Sequence, residues 1–386
     1  MLNRVLAFHA PTRLIFGPGA LAEVIPELKR LGVGKPLLVT DQGIRAAGLL
    51  GRVTSLLEEH GVPSATFDGV KENPSVETVA DGLKIYANEG CDGLIPIGGG
   101  SPIDSGKAIG ILASNNGEIA QYEGVGKVPR AIPPTIAVPT TYGTGSETTS
   151  VAVITDPRRH FKFVIVSPNI FCSSAILDPT LLLSLPRKIG AATGMDALTH
   201  AIEAYVALGS QPFASALALH AIGLVAGNLR QAVANDQNLA ATQNMVIASA
   251  LAGMAFSNAR LGTVHAMAHP LSAHCGIHHG TACAILLPHV MEFNLGACPE
   301  KYAEIARAMG GTTAGLAVMD AARLAVEAVR ALASDVDIPA NLRAAGATPD
   351  RLQELIGDSM LSGAIRNNPR TTGKEDVEHL FSKAFA

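Results

Sequence analysis

Over the first 186 residues, short apolar, β-branched runs alternate with segments whose apolar positions return every three or four residues. That alternation predicts a parallel α/β layer. FHAPTRLIFGPGAL opens as a strand or hairpin and leads into a helix through Val24, Ile25 and Leu28. KPLLVT reads as a buried strand ending at Asp41, followed by helices around 43–50 and 53–60. SATFDGV is the next strand, and Pro74 begins a helix reading SVETVADGLKIYANEG. DGLIPI is a third strand that runs directly into Gly98, Gly99, Gly100 and Ser101, with a helix from near Ile103. TIAVPTT is a fourth, and VAVITD with FKFVIVS alternate like a hairpin.

After Pro186 alanine becomes dense and valine-rich runs disappear. Helical periodicity predicts helices at 187–208, 213–234, 237–256, 262–273, 299–309, 314–332 and 350–360. The expected organisation is an α/β domain with a parallel sheet over residues 1–186 and an all-helical domain over 187–386.

Composition narrows the classes. At 386 residues the chain exceeds a typical single domain, and about two or three are expected. With 48% hydrophobic and 16% charged residues, a large core is available. The net charge of −4 and the lack of a Lys/Arg run argue against nucleic acid or an anionic membrane as partner. No apolar run approaches a membrane span, and MLNRVLAFHAPTRLIFGPG lacks a leader's long apolar region. Five cysteines without a C-x-x-C read as reduced thiols, so a cytoplasmic location is expected.

The chemistry concentrates in LGTVHAMAHPLSAHCGIHHGTACAILLPH, which holds His265, His269, His274, His278, His279 and His289. His265 and His269 are four apart, which places both imidazoles on one helix face. Asp196 and His200 repeat the spacing in GMDALTHAIEAY. Such pairs on separate helices build interior metal sites, and they also occur as hydrogen-bonded core histidines. Imidazoles with a carboxylate suit Fe²⁺ or Zn²⁺, and the affinity order alone favours zinc.

Three features of the first half suit a dinucleotide. Gly98–Ser101, between a strand and a helix, lets backbone N–H groups approach a phosphate, although the same glycines also make a tight turn. The loop is neither a Walker A motif, since Ser101 and Ala108 stand where it needs glycine and a hydroxyl, nor G-x-G-x-x-G. The hydroxyl-rich run 140–146 follows a strand, where open parallel sheets bind ligands. Asp41, at a strand end, suits the adenosine ribose of NAD and repels a 2′-phosphate; it equally suits a helix cap.

GGGSPIDSGKA, PTTYGTGSE, AATGMDALTHAIEAY, LAGMAFSNARLG and HAMAHPLSAH…HHG together give a resemblance to the iron-dependent (group III) alcohol dehydrogenases across nearly the whole chain. The resemblance implies a metal held by Asp196, His200, His265 and His279, with iron as that metal. His269 takes a proton-relay or positioning role beside the nicotinamide. It implies cofactor contacts from Asp41, Asn73, Gly99, Gly100, Ser101, Asp104, Thr140, Thr141, Thr144, Ser146 and Lys162, and NAD as the cofactor. Val151, Phe256 and Gly363 are placed around the substrate's far end. Tyr142, where the family usually has a small residue, and the added His274 and His278 depart from its pattern.

The implied enzyme is an NAD-linked, metal-dependent oxidoreductase interconverting short primary alcohols and aldehydes. Arg260, His274 and His278 leave room for a small anionic aldehyde, a semialdehyde or sulfonated aldehyde, as substrate. A dehydroquinate-synthase-like lyase would need more Lys and Arg than this site supplies. The strand character of FHAPTRLIF invites edge pairing with a second copy, and the resemblance also implies a homodimer or larger assembly.

Overall fold

The computed structural model describes residues 5–159 and 161–386; residues 1–4, the start of the segment read for a leader, lie outside them. The chain divides into two compact units. One comprises Ala10–Thr141 and Gly145–Leu185; the other comprises Pro186–Ala386, Tyr142–Thr144 and residues 5–9.

The first unit is built on six parallel strands: β1 (Arg13–Phe16), β2 (Pro36–Asp41), β3 (Ala65–Val70), β4 (Gly93–Gly98), β6 (Ile136–Pro139) and β9 (Ser174–Leu177), in the order β1-β9-β6-β4-β2-β3. β5 (Gly124–Val125), β7 (Val151–Asp156) and β8 (Phe161–Val166) form a smaller sheet, in which β7 and β8 pair antiparallel from Val151↔Val166 to Asp156↔Phe161. Every residue of β4, and all of β2 except Asp41, is buried, as expected for strands covered on both faces. The PLLV and LIPI runs therefore show no alternation. β7 buries only alternate residues before its end, because one face of its sheet is covered.

The chain visits β2 and β3 on one flank, then returns past β2 to β4, β6 and β9. The order thus reverses between β2 and β4, and ligands of open α/β sheets bind beyond the carboxyl ends at such a point. Asp41 ends β2, Gly98 ends β4, and Thr140 donates its N–H to the Gly98 carbonyl at 3.0 Å on the neighbouring strand.

Helices α1 (Val24–Leu31), α2 (Gln42–Ala46), α3 (Leu49–Glu59), α4 (Val76–Asn88) and α5 (Gly100–Ser114) belong to the same unit. Ser75 caps α4 by accepting the Thr78 N–H. α5 begins three residues before Ile103. Pro102 lies in its first turn, where the missing N–H would have had no intrahelical partner.

The second unit holds α6 (Arg187–Val206), α7 (Pro212–Ala234), α8 (Leu239–Ala259), α9 (Thr263–Cys275), α10 (His279–Asn294), α11 (Pro299–Ala308), α12 (Val318–Asp335), α13 (Leu352–Leu361) and α14 (Lys374–Phe385). α6 is buried all round from Gly190 to Val206, with α7, α8 and α10 packed on it. α7 and α8 are long and apolar enough to cross a membrane by length and composition, contrary to the expectation that no run approaches a span; both pack on α6 and on each other. α10 and α14 were not predicted. Pro288 lies inside α10 and disguises its periodicity, whereas α9 was expected despite its internal Pro270.

Candidate active site

In the helical unit, three helices each contribute an i,i+4 pair to one cluster, buried except for the part-buried His269 and His279: Asp196 and His200 from α6, His265 and His269 from α9, His279 and Cys283 from α10. The approach of α10 to α6 depends on Gly280, since a Cβ there would overlap the Ala192 carbonyl. Asp196 Oδ1 lies 3.9 Å from His200 Nε2, 3.7 Å from His265 Nε2 and 3.9 Å from His279 Nε2. All exceed hydrogen-bond range. Asp196 is 3% exposed, yet its Oδ1 has no hydrogen-bond partner. A buried, unpaired carboxylate oxygen ringed by ring nitrogens at such distances fits a cation bound among them.

The outer nitrogens of two of these rings are held. His265 Nδ1 is 2.6 Å from Glu203 Oε2, while Glu203 Oε1 accepts the Val264 N–H at 2.7 Å. His200 Nδ1 is 3.2 Å from the Gly143 carbonyl oxygen, and a Cβ on Gly143 would overlap Thr193. With Nδ1–H donated outward, each Nε2 lone pair faces Asp196, the arrangement that orients metal-binding histidines.

Burial opposes ionisation of Asp196, but His200, His279 and His265 hold its carboxyl well below the ordinary range. Burial drives His200 down to about 4 against the pull of Asp196. Burial also pushes the Cys283 thiol up to about 12. The rings of His269 and His279 stack at 5.3 Å, and Phe256 stacks on His200 at 4.4 Å. Gly363 opens a short 3-10 helix that packs on α9.

The remaining candidate groups separate. His274 is paired with Asp358 at 2.7 Å and Glu354 at 3.7 Å. Arg260 is exposed just beyond α8 at φ 73°. His278 occupies the N-cap position of α10 without a side-chain capping bond, and its buried Nδ1 has no hydrogen-bond partner. Tyr142 is buried, which raises its hydroxyl to about 12. Thr144 belongs with the helical unit.

In the α/β unit, Gly99, Gly100 and Ser101 form the start of α5, which has no side-chain cap and so presents bare N–H groups. The buried hydroxyls of Thr140 and Thr141 have no hydrogen-bond partner, as fits a polar ligand at this strand end. Asp41 accepts the Ile44 N–H at 2.9 Å and so caps α2. Asp104 pairs through one oxygen with Ser146 and accepts the Val153 N–H with the other. Lys162 donates to Asn73 at 2.7 Å. Asn73 sits at φ 56°, a conformation that asparagine tolerates better than most residues.

Sequence reasoning missed three residues. Lys107 is fully buried and donates to the carbonyls of Ser146, Thr149 and Val151 at 2.5, 3.0 and 2.8 Å. It thereby fixes the loop that carries Ser146 and the start of β7 with Val151. Glu203 lies three residues after His200 and Cys283 four after His279, so helical spacing held the signal for both.

Comparison with known proteins places the whole chain beside one family. Residues 11–179 match the family model described as iron-containing alcohol dehydrogenase, and residues 190–385 match the C-terminal model of the Fe-containing alcohol dehydrogenase family. The chain is 45% identical to 1,3-propanediol dehydrogenase from Citrobacter freundii, with both chains fully covered. It is 42% identical to lactaldehyde reductase from Escherichia coli (strain K12), covering 96% of this chain and 97% of the other. The crystal structure of a 1,3-propanediol oxidoreductase superposes with a TM-score of 0.97 at 44% identity, covering 99% of this chain and 100% of that one.

Proposed function

The chain belongs to the iron-containing alcohol dehydrogenase family, and from that premise we propose that it interconverts short primary alcohols and their aldehydes with NAD(H) and a divalent metal, iron by family. The observation that carries the proposal is the buried, unpartnered Asp196 Oδ1 facing His200, His265 and His279.

In this reading Asp196, His200, His265 and His279 hold the metal. Asp41, Asn73, Gly99, Gly100, Ser101, Asp104, Thr140, Thr141, Thr144, Ser146 and Lys162 hold the dinucleotide, so the α/β unit supplies most of the cofactor contacts and the helical unit the metal ligands. Bound there, the metal supplies Lewis acidity toward a substrate oxygen, and the nicotinamide supplies or accepts the hydride. The chain's own groups do the rest. Glu203 and Gly143 keep two imidazoles in the tautomer that presents Nε2 inward. His269, stacked on His279, relays the substrate's hydroxyl proton. Val151 and Phe256, the latter beside His200, are the apolar residues proposed for the substrate, and Gly363 adds no side chain.

An apolar wall discriminates by only about 1–3 kcal/mol per methylene, which favours broad acceptance of short chains. The alternative anionic substrate would need a cation. His274 is already engaged by two carboxylates and Arg260 is exposed, which weighs against these two and leaves His278 as the candidate cation. A second copy fits at β1, an edge strand with Phe16 62% exposed, and a homodimer is the assembly proposed.

The test compares propanol and butanol with a semialdehyde of matched length in iron-reconstituted wild type and Arg260→Ala. Stoichiometric NADH formation with the neutral alcohols is expected. A hundredfold preference for the anion, abolished in Arg260→Ala, would replace this substrate class, and turnover without net NADH would return the lyase. A monomer mass by light scattering at micromolar concentration would remove the dimer.

A further inference from the structure

Asp196, His265, His279 and Cys283 offer ligand atoms that all lie within 4.8 Å of one another. Cys283 is fully buried on α10, with Sγ 3.6 Å from His279 Nε2 and 3.9 Å from His265 Nε2. In a tetrahedron the edge is about 1.6 times the centre-to-corner distance. Metal–nitrogen and metal–sulfur bonds of about 2.0–2.3 Å therefore call for edges of about 3.3–3.8 Å. The two Sγ separations and the 3.7 and 3.9 Å separations from Asp196 Oδ1 to His265 and His279 lie at or just above that range. Independently of the sulfur, the unpartnered Oδ1 of Asp196, 3% exposed, is aimed into the same space.

We infer that Cys283 is a donor to the metal of this centre, so that the site offers a thiolate beside its carboxylate and imidazoles and holds Zn²⁺ or Co²⁺ in preference to Fe²⁺. The inference rests on the proposed metal centre and adds to it a ligand and a selectivity. Binding converts the thiol to a metal thiolate and releases one proton to solvent, with no change of oxidation state. His200, 3.9 Å from Asp196 Oδ1 but outside that four-donor group, is the ligand with which the sulfur competes. Thiolate ligands favour zinc over a harder ion, which turns one side chain into a determinant of which metal the protein keeps.

The experiment titrates anaerobic apo-protein with Co²⁺ and follows the absorption spectrum. Wild type is expected to show visible d–d bands together with a near-ultraviolet sulfur-to-cobalt charge-transfer band. Cys283→Ser should lose the near-ultraviolet band and keep the visible ones. Cys283→Ala gives the same readout should the serine variant fail to fold, with far-ultraviolet circular dichroism as the control. In His200→Ala the charge-transfer band should persist. Equilibrium dialysis against mixed Fe²⁺ and Zn²⁺ should show the bound zinc-to-iron ratio falling by about tenfold or more in Cys283→Ser. Stoichiometric cobalt with near-ultraviolet spectra identical in wild type and both Cys283 variants overturns the sulfur ligand while leaving the metal centre standing. An unchanged zinc-to-iron ratio overturns the selectivity. Failure of wild type to take up cobalt removes the centre itself, and this inference with it.

Discussion

In the α/β unit the groups proposed for the dinucleotide are backbone amides and loop hydroxyls beyond strand ends: the uncapped start of α5, Thr140 and Thr141. In the helical unit they are side chains in the interior, set four residues apart on α6, α9 and α10. A parallel sheet buries its strands on both faces and leaves chemistry to the loops. A bundle can instead turn one stripe of each helix inward and fill it with ligands. The first kind of site tolerates exchange of most side chains provided the backbone holds its path. The second depends on each side chain singly. Substitutions in the two units should therefore fail in different ways.

The largest effect is expected at the metal stripe. His265→Ala removes an inward nitrogen and strands Glu203, its buried partner. Activity should fall on the order of a thousandfold or more, since metal polarisation supplies several kcal/mol of barrier lowering. Bound metal should drop with it while circular dichroism stays near wild type. Full metal occupancy, or full turnover, in the anaerobically purified variant would show that the helical unit does not work through this stripe.

The matching test in the α/β unit acts on backbone path. Lys107→Met leaves the carbonyls of Ser146, Thr149 and Val151 without their donor. Stranding buried acceptors of a charged donor should cost about 3 kcal/mol. The melting temperature of the apo-protein should fall by roughly 6–12 °C at this domain size. Dinucleotide affinity should weaken because the loop carrying Ser146 loosens, while metal content stays unchanged. Loss of metal in this variant would erase the contrast between the units.

The same contrast explains what could be read in the sequence. The proposed ligand stripe is legible in part because helical spacing projects directly into space: Asp196/His200 and His265/His269 stand four residues apart. His279/Cys283 carries the same spacing and was passed over because His278, Gly280 and Pro288 obscured the helix that displays it. Glu203 looked like one more polar position on an alanine-rich helix. In the α/β unit the continuous apolar runs of β2 and β4 gave the strands, and the glycine and hydroxyl loops marked their ends. The strand order was not legible: β9 was not recognised as a strand, and its neighbours come from opposite ends of the unit. Nor was Lys107, because nothing local tells a lysine which distant carbonyls it will reach.

A smaller effect is expected at Asp41, which combines a helix cap with the proposed ribose contact. NAD should be favoured over NADP by roughly 1–3 kcal/mol, the scale of a like-charge or unpaired-group penalty. Asp41→Ser keeps an N-cap acceptor and removes the charge, so the preference should narrow with little loss of stability. Asp41→Gly should narrow it as well, losing only a few tenths of a kcal/mol of cap. Equal catalytic efficiency with NADPH and NADH in the wild type would confine Asp41 to capping.

The smallest effect separates the units by acid. Glu27, buried on α1, accepts from Arg30 at 2.7 and 3.0 Å, is bonded by Ser174 of β9 at 2.5 Å, and lies 3.4 Å from Arg13 of β1. The Arg30 hydrogen bonds, with Ser174 and the charges of Arg30 and Arg13, outweigh burial and hold its carboxyl below the ordinary value of 4.5. A carboxylate whose folded value is depressed stabilises the fold fully above its unfolded value. That contribution disappears as pH falls through the folded value. The loss therefore belongs to the window below about pH 4.5 and acts on the α/β unit. Arg30 and Arg13 are 42% and 61% exposed, so solvent screening limits the contribution to about 1 kcal/mol. Denaturant unfolding of apo-protein at pH 7 and at pH 3.5 should show Glu27→Gln less stable than wild type at the higher pH. The gap should narrow at the lower one, which lies below the ordinary carboxylate value of 4.5. A gap undiminished at pH 3.5 would mean that the glutamine is misfitted for reasons of packing rather than charge.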